Sequence, residues 1–235
     1  MASRRGMFIT FEGSDGSGKS TQAGRLAAAL RLLGHEVVET REPGGSPRGE
    51  AIRALLLSGK AAPYGAFAET MLFNAARADH LRATIRPALA RGAVVICDRF
   101  ADSTRAYQGV LGKVSDDLLG AAEEAVVGDT APDLTIILDL PAKLTLERLG
   151  TRRAAGGEAD KFEDEALAHH AALRQAFLDI AARSPERCVV VSAQHSVHEV
   201  AERILRLVKG RLEPDAGSSS PGFEKNADAR NQRQR

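Results

Sequence analysis

Apolar residues along this chain gather into five short runs, and between the runs they return at helical spacing. The runs lie near 7–12, 36–40, 93–98, 133–139 and 187–192. Val94-Val95-Ile96-Cys97 and Leu134-Thr135-Ile136-Ile137-Leu138 are almost unbroken, which suits parallel strands covered on both faces. The intervening periodicity predicts helices near 19–33, 47–58, 66–90, 116–127, 142–150, 161–183 and 197–211. Strand and helix alternate, so the pattern predicts an α/β fold, a doubly wound five-stranded parallel sheet. Gly34 stands where the first helix should stop and is its expected C-terminal cap. No internal repeat is visible.

Two segments break the alternation. Residues 151–160 are charged, carry two glycines and are flanked by helical patterns, which predicts a lid near 150–160. From 213 onward the sequence turns to Asp, Gly, Ser and Pro and then to polar residues, the composition of a disordered C-terminal tail over 213–235. One folded domain is therefore expected over 1–212.

Composition narrows the function by what it disfavours. The 235 residues suffice for one sizeable core, and a formal net charge of +1 gives no bulk attraction to nucleic acid or to an anionic membrane. The longest apolar runs are far shorter than the roughly 20 residues a membrane-spanning helix needs. The segment after the N-terminal arginines is too short for a signal peptide, so a cytoplasmic protein is expected. Cys97 and Cys188 fall within predicted strands and read as buried thiols rather than a disulfide. No Cys/His spacing suggests zinc. His169 and His170 are adjacent, so they are expected to diverge around a helix and to lie at the surface.

The chemistry is concentrated in Phe11-Glu12-Gly13-Ser14-Asp15-Gly16-Ser17-Gly18-Lys19-Ser20-Thr21. From Gly13 to Ser20 this is G-x-x-x-x-G-K-[ST], between a predicted strand and a predicted helix, the context a phosphate-binding P-loop requires. The glycines allow backbone N–H groups to turn around an anion, and the helix start adds partial positive charge. Lys19 is placed to reach the β- and γ-phosphates and Ser20 to ligate Mg²⁺. Asp15 is awkward beside a triphosphate unless it has another task. Asp98 and Arg99 end the third strand, where ligands of open α/β sheets sit. Asp98 suits a carboxylate in the Mg²⁺ shell, and Arg99 can fork onto phosphate. Phe73 and Arg77, four apart, share one helical face. A Phe so placed can serve the core or stack on a pyrimidine, and an Arg there can donate to its O4 carbonyl.

GTPases, motors and kinases all share a P-loop, and the guanine-reading N-K-x-D is not present. Four further motifs follow: Thr40-Arg41-Glu42-Pro43-Gly44-Gly45, Leu72-Phe73 through Arg77, Asp98-Arg99-Phe100 through Gln108-Gly109, and Asp160-Lys161-Phe162-Glu163. In this order the five resemble the thymidylate kinases, over about 7–208, and in particular the bacterial type whose arginines lie in the lid. The resemblance implies a P-loop nucleoside monophosphate kinase fold, transfer of phosphate from ATP to dTMP with Mg²⁺, and a homodimer.

It also implies roles. Asp15 would receive the deoxyribose 3′-hydroxyl. Arg41 would bind the acceptor phosphate, Glu42 would support that region, and Pro43 would shape the pocket floor, with a cis peptide as a candidate. Tyr107 would lie under the sugar and leave no room for a 2′-hydroxyl. Thr104 and Gln108 would approach the base edge, with Ser103 and Arg105 toward the phosphate. One family variant carries an arginine where this chain has Gly16, so Arg152 and Arg153 of the lid are the expected catalytic cations, acting with Lys19, Arg99 and Asp15. Arg148 and Ala193 are expected on the adenine side. A kinase of the same fold for another nucleotide or a deoxynucleoside is opposed by Phe73, Arg77 and Tyr107. A non-catalytic nucleotide switch is opposed by the whole acceptor-side set.

Overall fold

The structure is a computed structural model that describes residues 5–150 and 159–212. The lid expected near 150–160 falls mostly outside these residues, and the tail expected over 213–235 falls wholly outside them.

As the apolar pattern predicts, five parallel strands form one sheet: β1 (Phe8–Glu12), β2 (Val37–Arg41), β3 (Val94–Asp98), β4 (Leu134–Asp139) and β5 (Cys188–Ser192). Their order is β2-β3-β1-β4-β5. The helices are α1 (Lys19–Leu32), α2 (Pro47–Leu57), α3 (Gly65–His80), α4 (Arg86–Ala90), α5 (Ala101–Thr104), α6 (Asp116–Val127), α7 (Ala142–Arg148), α8 (Ala159–Arg183) and α9 (Val197–Leu212).

The near-continuous apolar strands are the central ones. Both faces of β1, β3 and β4 are buried because helices cover each side. Ile9, Phe11, Ile96, Leu134 and Ile136 pack on one face against α1 and α9 through Leu26, Leu30, Ile204 and Val208. Phe8, Val95 and Cys97 face the other way, onto Leu81, Ile85 and Leu89. Ile137 meets Leu173, Phe177 and Ile180 of α8 on that same side. Cys97 and Cys188 are free buried thiols. Gly34 sits at φ +88°, with its N–H on the Arg31 carbonyl and the His35 N–H on that of Leu30, so α1 ends where expected.

Two stretches depart from the pattern. The helix expected over 66–90 is α3, then a π-helical turn Leu81–Ile85, then α4. Pro87 has no N–H to continue the regular ladder, and the widened turn before it places Leu81 and Ile85 in the core. The second stretch, unassigned from periodicity, is α5 followed by a π-helical turn Arg105–Leu111. Its residues alone read as an ordinary polar helix start, but no apolar periodicity marks how far the helix runs. Asp102 there is buried because the Arg187 guanidinium grips both its oxygens at 2.7 and 2.9 Å.

The sheet positions the site. β1 is flanked by β3 on one side and β4 on the other, so strand order reverses around it, and the loops leaving β1, β3 and β2 open on one crevice. Ile204 on α9 is fully buried against the strands. Ile204→Ala is expected to cost about 2–5 kcal/mol in urea denaturation; a loss below about 1 kcal/mol would show that α9 is not part of this core.

Candidate active site

The loop after β1 closes tightly. Gly13, Gly16 and Gly18 have φ of +128°, +75° and +95°. A Cβ on Gly13 would stand 2.5 Å from the Leu138 carbonyl oxygen, so that position admits only glycine. Ser14 and Ser17 of the loop are buried, and the Ser17 Oγ has no partner among the described residues. Lys19 opens α1, where the first N–H groups have no partner within the helix, and its ammonium donates to the Ser14 carbonyl at 2.8 Å. Burial, with the Arg99 cation nearby, lowers the Lys19 ammonium to about 8. Arg148, at the end of α7, bridges the Gly16 carbonyl at 3.4 Å and the Ala193 carbonyl at 2.8 Å, so both expected adenine-side residues border the loop.

Across the crevice, Asp98 ends β3. The Ser20 hydroxyl donates to its Oδ2, while Oδ1 is buried without a partner among the described residues. No group of three or more His, Cys, Asp or Glu side chains stands ready for a metal among the described residues. A single carboxylate beside a P-loop hydroxyl fits Mg²⁺, which keeps waters and takes phosphate oxygens for most of its shell. The unpartnered Oδ1 fits such a cation. Thr21 lies on the wall beside Ser20.

Arg99 stands next to Asp98 at φ +69°, in the left-handed region that a side chain other than glycine rarely enters. Glu12, at the end of the neighbouring β1, holds it there. One Glu12 oxygen accepts the Phe100 N–H at 2.8 Å and the Ser103 N–H at 3.2 Å, and the other accepts the Ser103 hydroxyl at 2.6 Å. Ser103 Oγ in turn accepts from the Arg99 guanidinium at 3.0 Å. The guanidinium lies over the Tyr107 ring and pairs with Asp15 at 2.5 Å. Burial raises the Asp15 carboxyl, but the Arg99 and Lys19 cations outweigh it and hold the group below its ordinary value. Burial, together with the Asp102 charge, pushes Glu12 up to about 7 against the opposing pull of Ser103 and Arg99.

The crevice extends from here as a cleft of about 630 Å³ lined by Asp15, Lys19, Ser20, Asp98 and Arg99 at one end and by Phe73, Arg77, Thr104, Tyr107 and Gln108 at the other. Arg77 is anchored rather than free: Nε donates to Glu42 at 2.8 Å, Nη1 to Asn74 at 3.3 Å and Nη2 to Thr104 at 3.0 Å, over the Phe100 ring. That leaves one N–H on each terminal nitrogen for a ligand. Half-buried Phe73 presents its ring along the same helix. The Glu42–Pro43 peptide is cis. Arg41 leans on Glu50 at 3.1 Å, half-exposed at the rim.

Arg105 is a correction. It points away from the cleft to Glu123 at 2.8 Å and toward Asp102, because the π-helical turn carries it to the α6 side, so it does not serve the phosphate end. Ser103 does lie there. His169 and His170 do not diverge: their rings meet edge to face at 5.6 Å, and His170 is half-buried, near enough to Asp15 to feel its charge. Arg152 and Arg153 lie outside the described residues. Sequence reasoning gave no role to Glu12, Asn74, His80 or to Arg53, which lines the cleft and donates to the Pro43 carbonyl. The spacing of Asn74, Arg77 and His80, three apart on one helix face, was a readable signal for two of them.

Two outcomes test these charges. Isothermal titration at pH 8 in buffers of differing ionisation enthalpy is expected to show uptake of roughly half a proton per ATP as phosphate recharges Lys19, whose free value is about 8. Heats that do not depend on buffer would contradict it. For Glu12, raised from 4.5 to about 7, the stabilisation is complete below pH 4.5 and is lost as pH rises through 7. Urea denaturation at pH 5 and pH 8 is therefore expected to show wild type losing stability relative to Glu12→Gln; parallel behaviour would place the Glu12 carboxyl at an ordinary value.

The chain is similar to known thymidylate kinases. The thymidylate kinase family model matches residues 11–204. A thymidylate kinase of Caulobacter vibrioides is 52% identical over 208 residues, 88% of this chain and 98% of its own. One of Rhodopseudomonas palustris is 54% identical over 212 residues, 89% of this chain and 91% of its own. The crystal structure of thymidylate kinase from Ehrlichia chaffeensis superposes with a TM-score of 0.69 at 34% identity, covering 87% of this chain and 99% of that one. With its sheet order, P-loop and cleft already those of a nucleoside monophosphate kinase, the chain belongs to the thymidylate kinase family.

Proposed function

We propose that the protein transfers the γ-phosphoryl group of ATP to the phosphate of dTMP, yielding ADP and dTDP for dTTP synthesis. One observation carries the reading: one cleft holds the P-loop, Asp98 and Arg99 at one end and Phe73 and Arg77 at the other. ATP phosphates lie along the N–H groups of the loop and Lys19, with adenine toward Arg148 and Ala193. Thymine stacks on Phe73, and its O4 accepts from Arg77. A cytosine would present an amino donor there and leave two donors opposed. The sugar rests on Tyr107, with its 3′-hydroxyl at Asp15.

The acceptor phosphate oxygen attacks the γ-phosphorus in line, and the protein contributes position and positive charge. Arg99 and Arg41 hold the acceptor phosphate. Lys19 follows the transferring group, and Arg152 or Arg153 adds charge from the lid as an arginine finger in cis. Mg²⁺ held by Ser20 and Asp98 would neutralise charge between the β- and γ-phosphates. The kinase domain spans 1–212, with 213–235 as a tail outside its work. A homodimer and a cytoplasmic location complete the reading, the latter supported by two buried free thiols. No described helix is long and apolar enough to cross a membrane.

A coupled ADP-release assay with dTMP, dUMP, ribosyl-TMP, dCMP, AMP and thymidine is the test. Strong preference for dTMP is expected; preference for another monophosphate would overturn the base assignment, and nucleotide binding without transfer would leave only a switch. Lys19→Ala is expected to lower turnover by about 100-fold or more with the fold retained. Joint Arg152→Ala and Arg153→Ala is expected to lower kcat more than it raises KM for dTMP, and an unchanged kcat would move the lid cation elsewhere.

A further inference from the structure

Beneath the cleft lies a chain of polar side chains that touches neither nucleotide in the reading above. His80, the last residue of α3, is completely buried. Its Nδ1 is 3.1 Å from Oε1 of Glu42, and its Nε2 is 2.7 Å from the Thr40 hydroxyl. The other Glu42 oxygen takes the Nε of Arg77. Carboxylate oxygens only accept, so Nδ1 carries a hydrogen and donates to Glu42, while Nε2 is hydrogen-bonded to the Thr40 hydroxyl. Both ends of the imidazole are then committed, and the ring has one orientation.

The surrounding backbone makes room for this ring. A Cβ on Gly45 would stand 2.4 Å from both His80 Nε2 and Thr40 Oγ1. Gly45 has φ +76°, so both its conformation and its missing side chain serve the contact. The loop itself has other anchors: Thr84 donates to the Gly45 carbonyl, and Glu50 accepts the Gly45 N–H. The imidazole is therefore not needed to hold the loop. What it alone fixes is the second oxygen of a carboxylate that is only 6% exposed. Without it, Glu42 keeps one hydrogen bond and can rotate, and Arg77, still held by Asn74 and Thr104, loses the fixed acceptor that sets its Nε.

We propose that His80 is a positioning residue for acceptor recognition: through Glu42 it sets the angle at which Arg77 meets the pyrimidine edge. The proposal rests on the placement of the base at Phe73 and Arg77. It assigns to a buried histidine, outside the cleft wall, control over the choice between thymine and cytosine. The ATP end of the cleft shares none of these contacts.

The test is steady-state kinetics of the full chain with His80→Ala, His80→Asn, His80→Gln and Arg77→Ala. His80→Ala is expected to raise KM for dTMP about tenfold or more, with kcat and KM for ATP within about threefold of wild type. Its ratio of kcat/KM for dTMP over dCMP is expected to fall. His80→Asn presents an amide N–H near the Nδ1 position and is expected to recover most of both effects, whereas His80→Gln, whose amide reaches the Nε2 position, is not. Loss of stability with an unchanged KM for dTMP and unchanged preference would reduce His80 to packing and overturn the proposal. Should His80→Ala not fold, the Asn and Gln variants decide, and equal behaviour of the two overturns it. Arg77→Ala separates the two levels. If it leaves the preference intact, the base placement fails and this inference with it; if it abolishes the preference while His80→Ala does not alter it, this inference alone fails.

Discussion

Arg99 occupies a backbone conformation that costs energy, and the carboxylate of Glu12 is what holds it there. Parallel pairing sets Phe11 opposite Asp98, so Glu12 extends past the end of β3 just where the chain turns into α5. Three hydrogen bonds from that turn converge on it. The P-loop strand and Arg99 are thereby tied together. The cost is a fully buried carboxyl near other acids, which explains why its proton affinity is raised. A strained residue held by buried polar contacts is a recurrent arrangement where geometry must be accurate for chemistry.

From that point the site reads as a graded field. Lys19 and Arg99 lie at one end with Asp15, Asp98 and the buried Glu12 near them, and burial already depresses the charge on Lys19. An incoming phosphate relieves both, so binding and charging are linked. At the other end Arg77 is neutralised by Glu42 and held on three sides, which suits reading a neutral base rather than attracting an anion. One cleft thus offers loose positive charge to phosphates and fixed hydrogen-bond donors to a ring. Helix α8 is tied to the end of β4, since Arg174 grips both oxygens of Asp139 there, at 2.6 and 2.9 Å.

The fold was legible because its strands are buried on both sides and so are written as unbroken apolar runs. The stretch after Arg99 was legible only as a polar helix start, because α5 buries polar residues, Asp102 and Thr104 among them, whose partners come from distant parts of the chain. The P-loop and the strand-end Asp98-Arg99 were legible from motif and spacing. Arg105 misled because an arginine in a phosphate-binding stretch looks like a ligand, and only the π-helical turn sends it to Glu123. Glu12 escaped for the opposite reason: it acts on the Phe100–Ser103 turn, and such second contacts leave no local pattern. His80 was missed although its spacing from Asn74 and Arg77 is visible in the sequence. His170 escaped because the approach of α8 to the P-loop is a tertiary fact.

A crystal structure with dTMP and a non-hydrolysable ATP analogue tests the central claim most directly, that the turn held by Glu12 presents Arg99 to the acceptor phosphate. The expected result is the dTMP phosphate on the Arg99 guanidinium, the ring on Phe73 with O4 at Arg77, and Glu12 still holding Phe100 and Ser103. A dTMP phosphate seated away from Arg99, or a 99–103 turn rearranged to reach it, would contradict the claim.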